Sequence, residues 1–161
     1  FPGAFTLAEE LQYIEHYVKI IRSKYVDKTK VQIQVPEELL QYQIPKLIIQ
    51  PILENAITHG LAPKTSAGQV WLQVTREGED MVITIVDDGV GMRSNVLKNA
   101  LDLDATEAEK AATGRHGIAL ANIQQRVHLL YGEAYGLAIE SNLSDGTRVT
   151  LRIPLQKTGE R

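Results

Sequence analysis

The chain contains no cysteine, so it can form neither a disulfide nor a thiolate metal site, which suits a reducing compartment. No apolar run approaches the roughly 18 residues needed to span a bilayer. Positive charge is not in excess either, because 17 Lys and Arg stand against 20 Asp and Glu, a net charge of −3. This balance argues against nucleic acid or acidic lipid as a general partner, so any phosphate chemistry must be local.

An initiator Met and a cationic signal segment are also missing from the start of the chain, Phe1-Pro2-Gly3. We therefore expect the chain to be part of a longer protein. What is present is an ordinary apolar share, since 43% of the 161 residues are hydrophobic. That share is enough for one compact core, and it excludes the collagenous and disordered classes.

The first predicted helix begins at Thr6-Leu7-Ala8-Glu9, a capping box in which the Thr and Glu side chains satisfy backbone donors at a helix start. Its apolar positions alternate steps of four and three residues: Leu7, Leu11, Ile14, Val18, Ile21 and Tyr25. This spacing is typical of a coiled-coil or helix-bundle seam. The helix either packs on its own domain or is the end of a dimerising helix, and we favour the second interpretation.

Residues 31–35 alternate apolar and polar side chains, which predicts a half-buried strand that stops at Pro36. The next predicted helix runs from Pro45 to about His59, and Pro51 is expected to bend it. One arc of this helix is apolar and comprises Ile48, Ile49, Ile52, Leu53, Ala56 and Ile57. Asn55 and His59 lie at the border of that arc, whereas Glu54 and Thr58 lie on the polar face.

Two hairpins are predicted, the first from strands 69–75 and 81–86 and the second from strands 137–141 and 148–154. Strand 81–86 is nearly all apolar and is expected to be central. Between the hairpins, residues 93–113 are polar and alanine-rich, which indicates weak helix or a mobile loop. A periodic helix then follows Gly114-Arg115-His116-Gly117. This order predicts one α+β domain, a two-layer sandwich with helices on one face of a mostly antiparallel mixed sheet.

Asp87 ends the predicted central strand and is followed by Gly89 and Gly91. An Asp and glycines after a strand usually form only a turn. At the end of a central strand, however, a carboxylate can accept a hydrogen bond from an exocyclic amine such as that of adenine. Glycines there admit a flat ring close to the backbone. The pattern favours a recognition pocket.

Glu54 and Asn55 also have an ordinary interpretation, because polar residues on an amphipathic helix need no function. An amide oxygen beside an apolar stripe is nonetheless a reasonable ligand for Mg²⁺, which takes further oxygens from water and nucleotide phosphates. Glu54 can polarise an attacking nucleophile. The predicted helix start at Gly117 would present backbone N–H groups to phosphate. Arg115 and His116 can add contacts or be ordinary loop residues.

These motifs occur in an order that resembles the ATP-binding catalytic domain of sensor histidine kinases, within the GHKL group that also holds gyrase, Hsp90 and MutL-type ATPases. Residues 45–60, Pro-Lys-Leu-Ile-Ile-Gln-Pro-Ile-Leu-Glu-Asn-Ala-Ile-Thr-His-Gly, are most similar to the LytS-type autolysin-regulator subgroup. The resemblance covers roughly residues 31–156. The upstream Thr-Leu-x-x-Glu-Leu segment matches that subgroup too.

The resemblance implies that ATP and Mg²⁺ are bound, with Asn55 as the metal ligand, Glu54 assisting transfer and Asp87 binding the adenine amine. Residues 93–113 look like a mobile ATP lid. Further expected ATP contacts are Gly89, Gly91, Met92, Gly117, Ile118, Ala119, Leu120 and Thr147, with His59, Arg115, His116, Asn122 and Arg126 as secondary contacts. Two departures, Thr58 for a frequent Lys and Ala119 for a glycine, predict modest affinity.

The family's phosphorylated histidine lies upstream, in a His-Phe-x-Phe-Asn-like motif, and none of His16, His59, His116 or His128 has such neighbours. We therefore expect this chain to bind Mg·ATP without phosphorylating itself. The predicted division is the end of a dimerisation or linker helix at 1–30, the ATP-binding domain at 31–157 and a tail at 158–161.

For the longer protein, the resemblance implies a cognate response regulator as partner, a homodimer formed through upstream helices, and no nucleic acid. It also implies a cytoplasmic domain of a sensor held in the inner or plasma membrane by a region outside this chain. Two alternatives stay open. One is an anti-sigma-type serine kinase or another GHKL ATPase, and the other is a degenerate docking module, which Thr58 and Ala119 would favour.

Overall fold

The computed structural model describes residues 5–24, 29–61, 68–102 and 107–157. Its α-helices are α1 (Leu7–Lys24), α2 (Gln50–Asn55), α3 (Ser94–Asn99) and α4 (Glu107–Tyr131), and a π-helical segment, Ala56–Leu61, continues α2. Its strands are β1 (Thr29–Gln34), β2 (Gly68–Glu77), β3 (Asp80–Asp87), β4 (Gly136–Asn142) and β5 (Gly146–Pro154). In the ranges described, no helix is long and apolar enough to cross a membrane.

The strands form a mixed sheet in the order β1-β2-β3-β5-β4. β1 is parallel to β2, and the other neighbours are antiparallel. The apolar strand β3 is central, as its composition predicts. The register places Asp87, the last residue of β3, between Val70 of β2 and Thr147 of β5.

Helices cover one face of this sheet. Val70, Leu72 and Val74 of β2 are buried on that face, in one apolar cluster with Ile14 of α1 and Leu53 of α2. Most of the alternate residues of the strands are half-buried, as is the single tryptophan, Trp71, or exposed. The predicted α+β sandwich is therefore confirmed.

The capping box at the start of α1 is present, because the Glu9 N–H donates to Thr6 Oγ1 at 3.2 Å and the Thr6 N–H donates to the Glu9 carboxylate at 3.4 Å. The apolar seam is nevertheless buried inside this domain, with Leu7 and Ile14 wholly buried. The favoured dimerising seam is therefore wrong for the described positions, because the domain's own core takes up the apolar stripe. The division at residue 30 stays a prediction.

The helix predicted from Pro45 begins instead at Gln50. Residues 46–49 form turns and bends, and Leu47 adopts a φ of +56° that an α-helix does not allow. Pro51 consequently lies in the first turn of α2, where its missing N–H costs no hydrogen bond, and not at a bend. The apolar periodicity alone could not reveal this later start, because the turn residues carry the same pattern.

The helix predicted to start at Gly117 begins at Glu107. Gly114 and Gly117 therefore lie inside α4, and their N–H groups are not among the first four of the helix. The predicted phosphate-binding helix start is wrong in this structure. Glu, Lys and Ala dominate residues 107–112 and have high helix propensity, which carries the helix through both glycines. The predicted lid, 93–113, is mostly helical where it is described.

Candidate functional site

A narrow pocket lies at the end of the sheet, between β3, β5 and the covering helices α2 and α4. Its lining residues are Ile52, Asn55, Ala56, Ile85, Asp87, Gly91, Met92, Leu120, Thr147 and Val149. The cavity volume is about 20 Å³, which is room for about one water molecule. The walls are mainly apolar, and Asn55, Asp87 and Thr147 supply the polar side chains.

Asp87 reaches the pocket because β3 ends there. Its side chain is only 4% exposed, and its Oδ1 accepts the Gly89 N–H at 2.8 Å. This local bond, from the residue two positions later, fixes the carboxylate at the strand end. A carboxylate has about four acceptor positions. The group is suited to recognise an amine that enters the pocket.

Asn55 enters the same pocket from the end of α2, and its residue is 8% exposed. Its Nδ2 is buried and has no hydrogen-bond partner among the described residues. Buried polar atoms are almost always paired, and an orphaned donor points to a bound group that supplies an acceptor. The π-helical segment begins at the next residue, Ala56, and such segments are frequent at functional sites.

Ser141 ties the loop after β3 to the second hairpin. Its hydroxyl accepts the Met92 N–H at 2.8 Å, and it lies 2.9 Å from the Gly146 carbonyl and 2.8 Å from Thr147 Oγ1. These bonds hold Met92 and Thr147 on adjacent walls of the pocket. Sequence reasoning missed Ser141 because a serine in an alternating strand gives no signal of its contacts.

Gly91 and Gly146 have positive φ values of +71° and +88°. A Cβ on Gly91 would lie 1.9 Å from the Asn142 carbonyl oxygen, and one on Gly146 would lie 2.1 Å from the Asp87 carbonyl oxygen. Both glycines therefore allow one backbone segment to approach another. Gly91 also lines the pocket, and its expected contact with a flat ring stays a prediction.

We expect Gly146→Ala to lower the free energy of unfolding by about 2 kcal/mol, because the Cβ adds a backbone clash to an unfavourable φ. Gly78→Ala is the matched control, since Gly78 has a φ of +60° and a Cβ there would have no neighbour within 4 Å among the described residues. It should cost about 1 kcal/mol. Urea unfolding measures both. Equal losses in the two variants would show that the contact with Asp87 contributes nothing.

Six of the predicted site residues line the pocket: Asn55, Asp87, Gly91, Met92, Leu120 and Thr147. Gly89 is buried beside it, whereas Ala119 is half-buried, and Ala119 and Asn122 do not line it. Glu54 is exposed and outside the lining. The side chains of His59, Arg115, His116 and Ile118 lie outside the described residues, and Gly117 lies within α4. The apolar walls Ile52, Ile85 and Val149 were foreseeable from periodicity, although no motif marked them as site residues.

No group of three or more His, Cys, Asp or Glu side chains that could hold a metal occurs in the described part of the chain. A metal ion at this pocket would therefore need oxygen ligands from its own waters and from a bound anion. Mg²⁺ has this preference, because it dehydrates reluctantly and is often bound by few protein groups plus substrate phosphates. The Asn55 amide fits such a role, since its oxygen can ligate and its orphaned nitrogen can donate to a phosphate oxygen.

The sequence of this chain matches a family of ATPases. The chain belongs to the family of histidine kinase-, DNA gyrase B- and HSP90-like ATPases, whose sequence profile matches residues 42–157. Membership in this family implies ATP binding, and the resemblance found in the sequence is confirmed.

Several curated relatives are sensor kinases. The chain is 34% identical to sensor histidine kinase YesM of Bacillus subtilis, over 92% of this chain and 24% of that protein. It is 30% identical to sensor histidine kinase BtsS of Escherichia coli, over 95% of this chain and 24% of that protein. The chain is 32% identical to sensor protein LytS of Oceanobacillus iheyensis, over 92% of this chain and 25% of that protein. The chain thus spans about a quarter of the length of these relatives.

Solved structures show the same fold at lower identity. The catalytic domain of histidine kinase ThkA superposes with a TM-score of 0.68 at 12% identity, covering 95% of this chain and 96% of that one. A blue-light activated histidine kinase of Erythrobacter litoralis superposes with a TM-score of 0.62 at 21% identity, over 95% of this chain and 43% of that one. The five-stranded mixed sheet with helices on one face is therefore the fold of histidine kinase catalytic domains.

Proposed function

We propose that this chain is the ATP-binding catalytic domain of a two-component sensor histidine kinase. It would donate the ATP γ-phosphoryl group to a histidine on a dimerisation helix elsewhere in the longer protein. The observation that carries the proposal is the meeting of Asn55 and Asp87 in one buried pocket, although they lie on different elements. The names of the relatives support the kinase assignment.

Asp87 is proposed to accept a hydrogen bond from the exocyclic amine of adenine. Its carboxylate is held at the end of β3 by the Gly89 N–H at 2.8 Å, in the wall of the pocket. Ile52, Ile85 and Val149 supply apolar walls for a flat ring. Thr147 lies beside Asp87 in the strand register and offers a hydroxyl at the same end of the pocket.

Asn55 is proposed to ligate Mg²⁺ through Oδ1, while Nδ2 donates to a phosphate oxygen. Mg²⁺, when bound with ATP, neutralises charge that develops on the transferring phosphoryl group. The chain's own part is to position the nucleotide, because phosphoryl transfer leaves little covalent chemistry for the protein. A role for Glu54 stays a prediction, and it would require the phosphates to extend out of the pocket to the exposed face of α2.

A cavity of about 20 Å³ is too small for a purine. A purine that enters this space would press residues of the pocket apart, and Met92 and Leu120 are the walls contributed by the loop after β3 and by α4. Met92 directly precedes the segment interpreted as the ATP lid, residues 93–113. We infer that lid displacement accompanies nucleotide entry.

For the longer protein we propose a cognate response regulator, a homodimer formed through upstream helices, and a cytoplasmic location of this domain in a membrane-held sensor. The relatives' names, sensor histidine kinase and sensor protein, support this assignment. The apolar seam of α1 does not distinguish a sensor histidine kinase from a serine kinase, because the seam is buried within the domain.

Nucleotide titration tests binding against the degenerate docking module. At Mg·ATP of about 100 times its Kd, we expect a stabilisation of ~2.7 kcal/mol, which raises the Tm by roughly 5–10 °C. Mg·GTP at the same concentration should give a clearly smaller rise, and Mg²⁺ alone should give none. Thermal unfolding followed by circular dichroism measures all three. A Tm unchanged by Mg·ATP would favour the docking module and refute nucleotide binding by this chain.

A further inference from the structure

Glu10 lies on α1 with 0% of its surface exposed. Its carboxyl oxygens accept the Ile48 N–H at 3.1 and 3.3 Å and also accept the Ile49 N–H. These donors lie 38 and 39 residues further along the chain. Glu10 thus joins α1 to the turn that precedes α2. The joining group is a buried carboxyl group in a core that is mostly apolar.

The bonds are made directly before α2, at the capping residue Ile49 and its predecessor Ile48. The first N–H groups of a helix have no partner within it, and they are usually capped by a nearby Ser, Thr, Asp or Asn. At α2 the capping position is Ile49, which has no side-chain hydrogen bond to give, and Pro51 has no N–H. Glu10, on another helix, instead holds the backbone of the capping residue Ile49 and of Ile48 before it.

The turn is shaped to meet this carboxyl group. Leu47 has a left-handed backbone conformation with a φ of +56°, and Ile49 has a right-handed helical one. Such a change from left-handed to right-handed backbone directs successive N–H groups to one side. Burial raises the pKa of the Glu10 carboxyl, whereas hydrogen bonds from the amides of Ile49, Ile48, Leu47 and Gln50 lower it. Burying a carboxyl group costs free energy. Its presence here indicates that several backbone N–H groups of this turn require acceptors in one place.

We propose that Glu10 is a positioning residue for Asn55, an inference that rests on the proposed function of Asn55. α2 has only six residues, about 9 Å of helix, and Ile52 and Leu53 within it are wholly packed in the core. A helix so short and so well packed moves as one body. By holding the turn that leads directly into α2, Glu10 sets where the last residue of the helix, Asn55, enters the pocket, and it links α1 to the nucleotide site.

Glu10→Gln tests this inference, because it keeps the side-chain volume and replaces one acceptor oxygen by an NH₂ that faces N–H donors. Glu15→Gln is the matched control, since Glu15 is exposed on the same helix. Both variants and the parent chain are compared about 15 °C below the lowest Tm. If Glu10→Gln gives no cooperative melt, Glu10→Asp replaces it, because Asp keeps both oxygens but retracts them by one methylene.

Three readouts apply: hydrogen exchange of the amides at 48–55, the NMR resonances of the Asn55 side-chain amide, and the affinities for Mg·ATP and for adenosine. In Glu10→Gln we expect exchange about 10-fold faster than in the parent, shifted Asn55 resonances, and Mg·ATP about 10-fold weaker. Adenosine, which is proposed to contact Asp87, should bind as in the parent. Glu15→Gln should match the parent throughout.

Unchanged Asn55 resonances in Glu10→Gln would overturn the inference, whatever the nucleotide affinity. Faster exchange with unchanged Mg·ATP affinity would also overturn it, since Glu10 would then be a structural cap only. If the parent binds no Mg·ATP, the proposed function fails, and the Asn55 resonances alone decide whether Glu10 positions this side chain.

Discussion

Replacing Asn55 by Ala in the full-length protein is expected to lower Mg²⁺-dependent phosphoryl transfer roughly 1,000-fold, in line with losses seen when one preorganised polar group of an active site is removed. The amide is the polar group that α2 brings to the pocket. Alanine can neither ligate the metal nor donate to phosphate. The measurement is autophosphorylation with labelled ATP over a range of Mg²⁺ concentrations.

The same substitution should not destabilise the fold. The Asn55 Nδ2 is buried without a partner in the part of the chain that the structure describes, and such a group costs about 1–3 kcal/mol. Asn55→Ala should therefore leave the free energy of unfolding unchanged or raise it by about 1 kcal/mol. Gln73→Ala removes an exposed amide on β2 and serves as the control with full activity. Wild-type transfer rates in Asn55→Ala would exclude a metal role for this residue.

Asp87→Asn is expected to weaken ATP binding about 100-fold, or ~2.7 kcal/mol, which is the upper range for a buried hydrogen bond to a charged group. Selectivity should change as well. Adenine presents an amine where guanine presents a carbonyl oxygen, and an Asn amide can turn to donate to that oxygen. The preference for ATP over GTP should therefore fall close to one, as measured by calorimetric titration of both nucleotides.

Asp88→Asn is the matched control, because the neighbouring carboxylate accepts the Gln69 N–H at 2.8 Å and does not line the pocket. An Asn oxygen can keep that bond, so nucleotide preference should stay close to the parent value. Loss of ATP preference in Asp88→Asn but not in Asp87→Asn would show that Asp88 recognises adenine. That result would refute the proposed role of Asp87.

The strands and both hairpins could be predicted from the sequence because their determinants are local, whereas the strand order could not. Alternation of apolar residues and short polar turns define both hairpins, and an almost wholly apolar strand can only be central. The meeting of Asn55 and Asp87 was predicted through the resemblance and not through spacing. Periodicity placed Asn55 beside an apolar stripe, but it could not say which strand end that stripe would face.

The failures concern boundaries and partners that tertiary structure decides. The seam of α1 has the same spacing whether it meets another chain or its own sheet. The start of α2 depends on the turn at Leu47 and on Glu10, which lies far away in sequence. The glycines of α4 suggested a helix start, yet flanking residues of high propensity extend the helix across them. Ser141 and Glu10 carry no local sign of their contacts.

Trp71 is half-buried on the face of the sheet that the helices leave uncovered, and it does not line the pocket. Being the only indole in the chain, it provides an intrinsic optical probe with a single source. Its emission should follow disassembly of β2 while remaining insensitive to ligand occupancy on the opposite side. Denaturation curves recorded from Trp71 emission should therefore have the same folded-state signal with and without nucleotide.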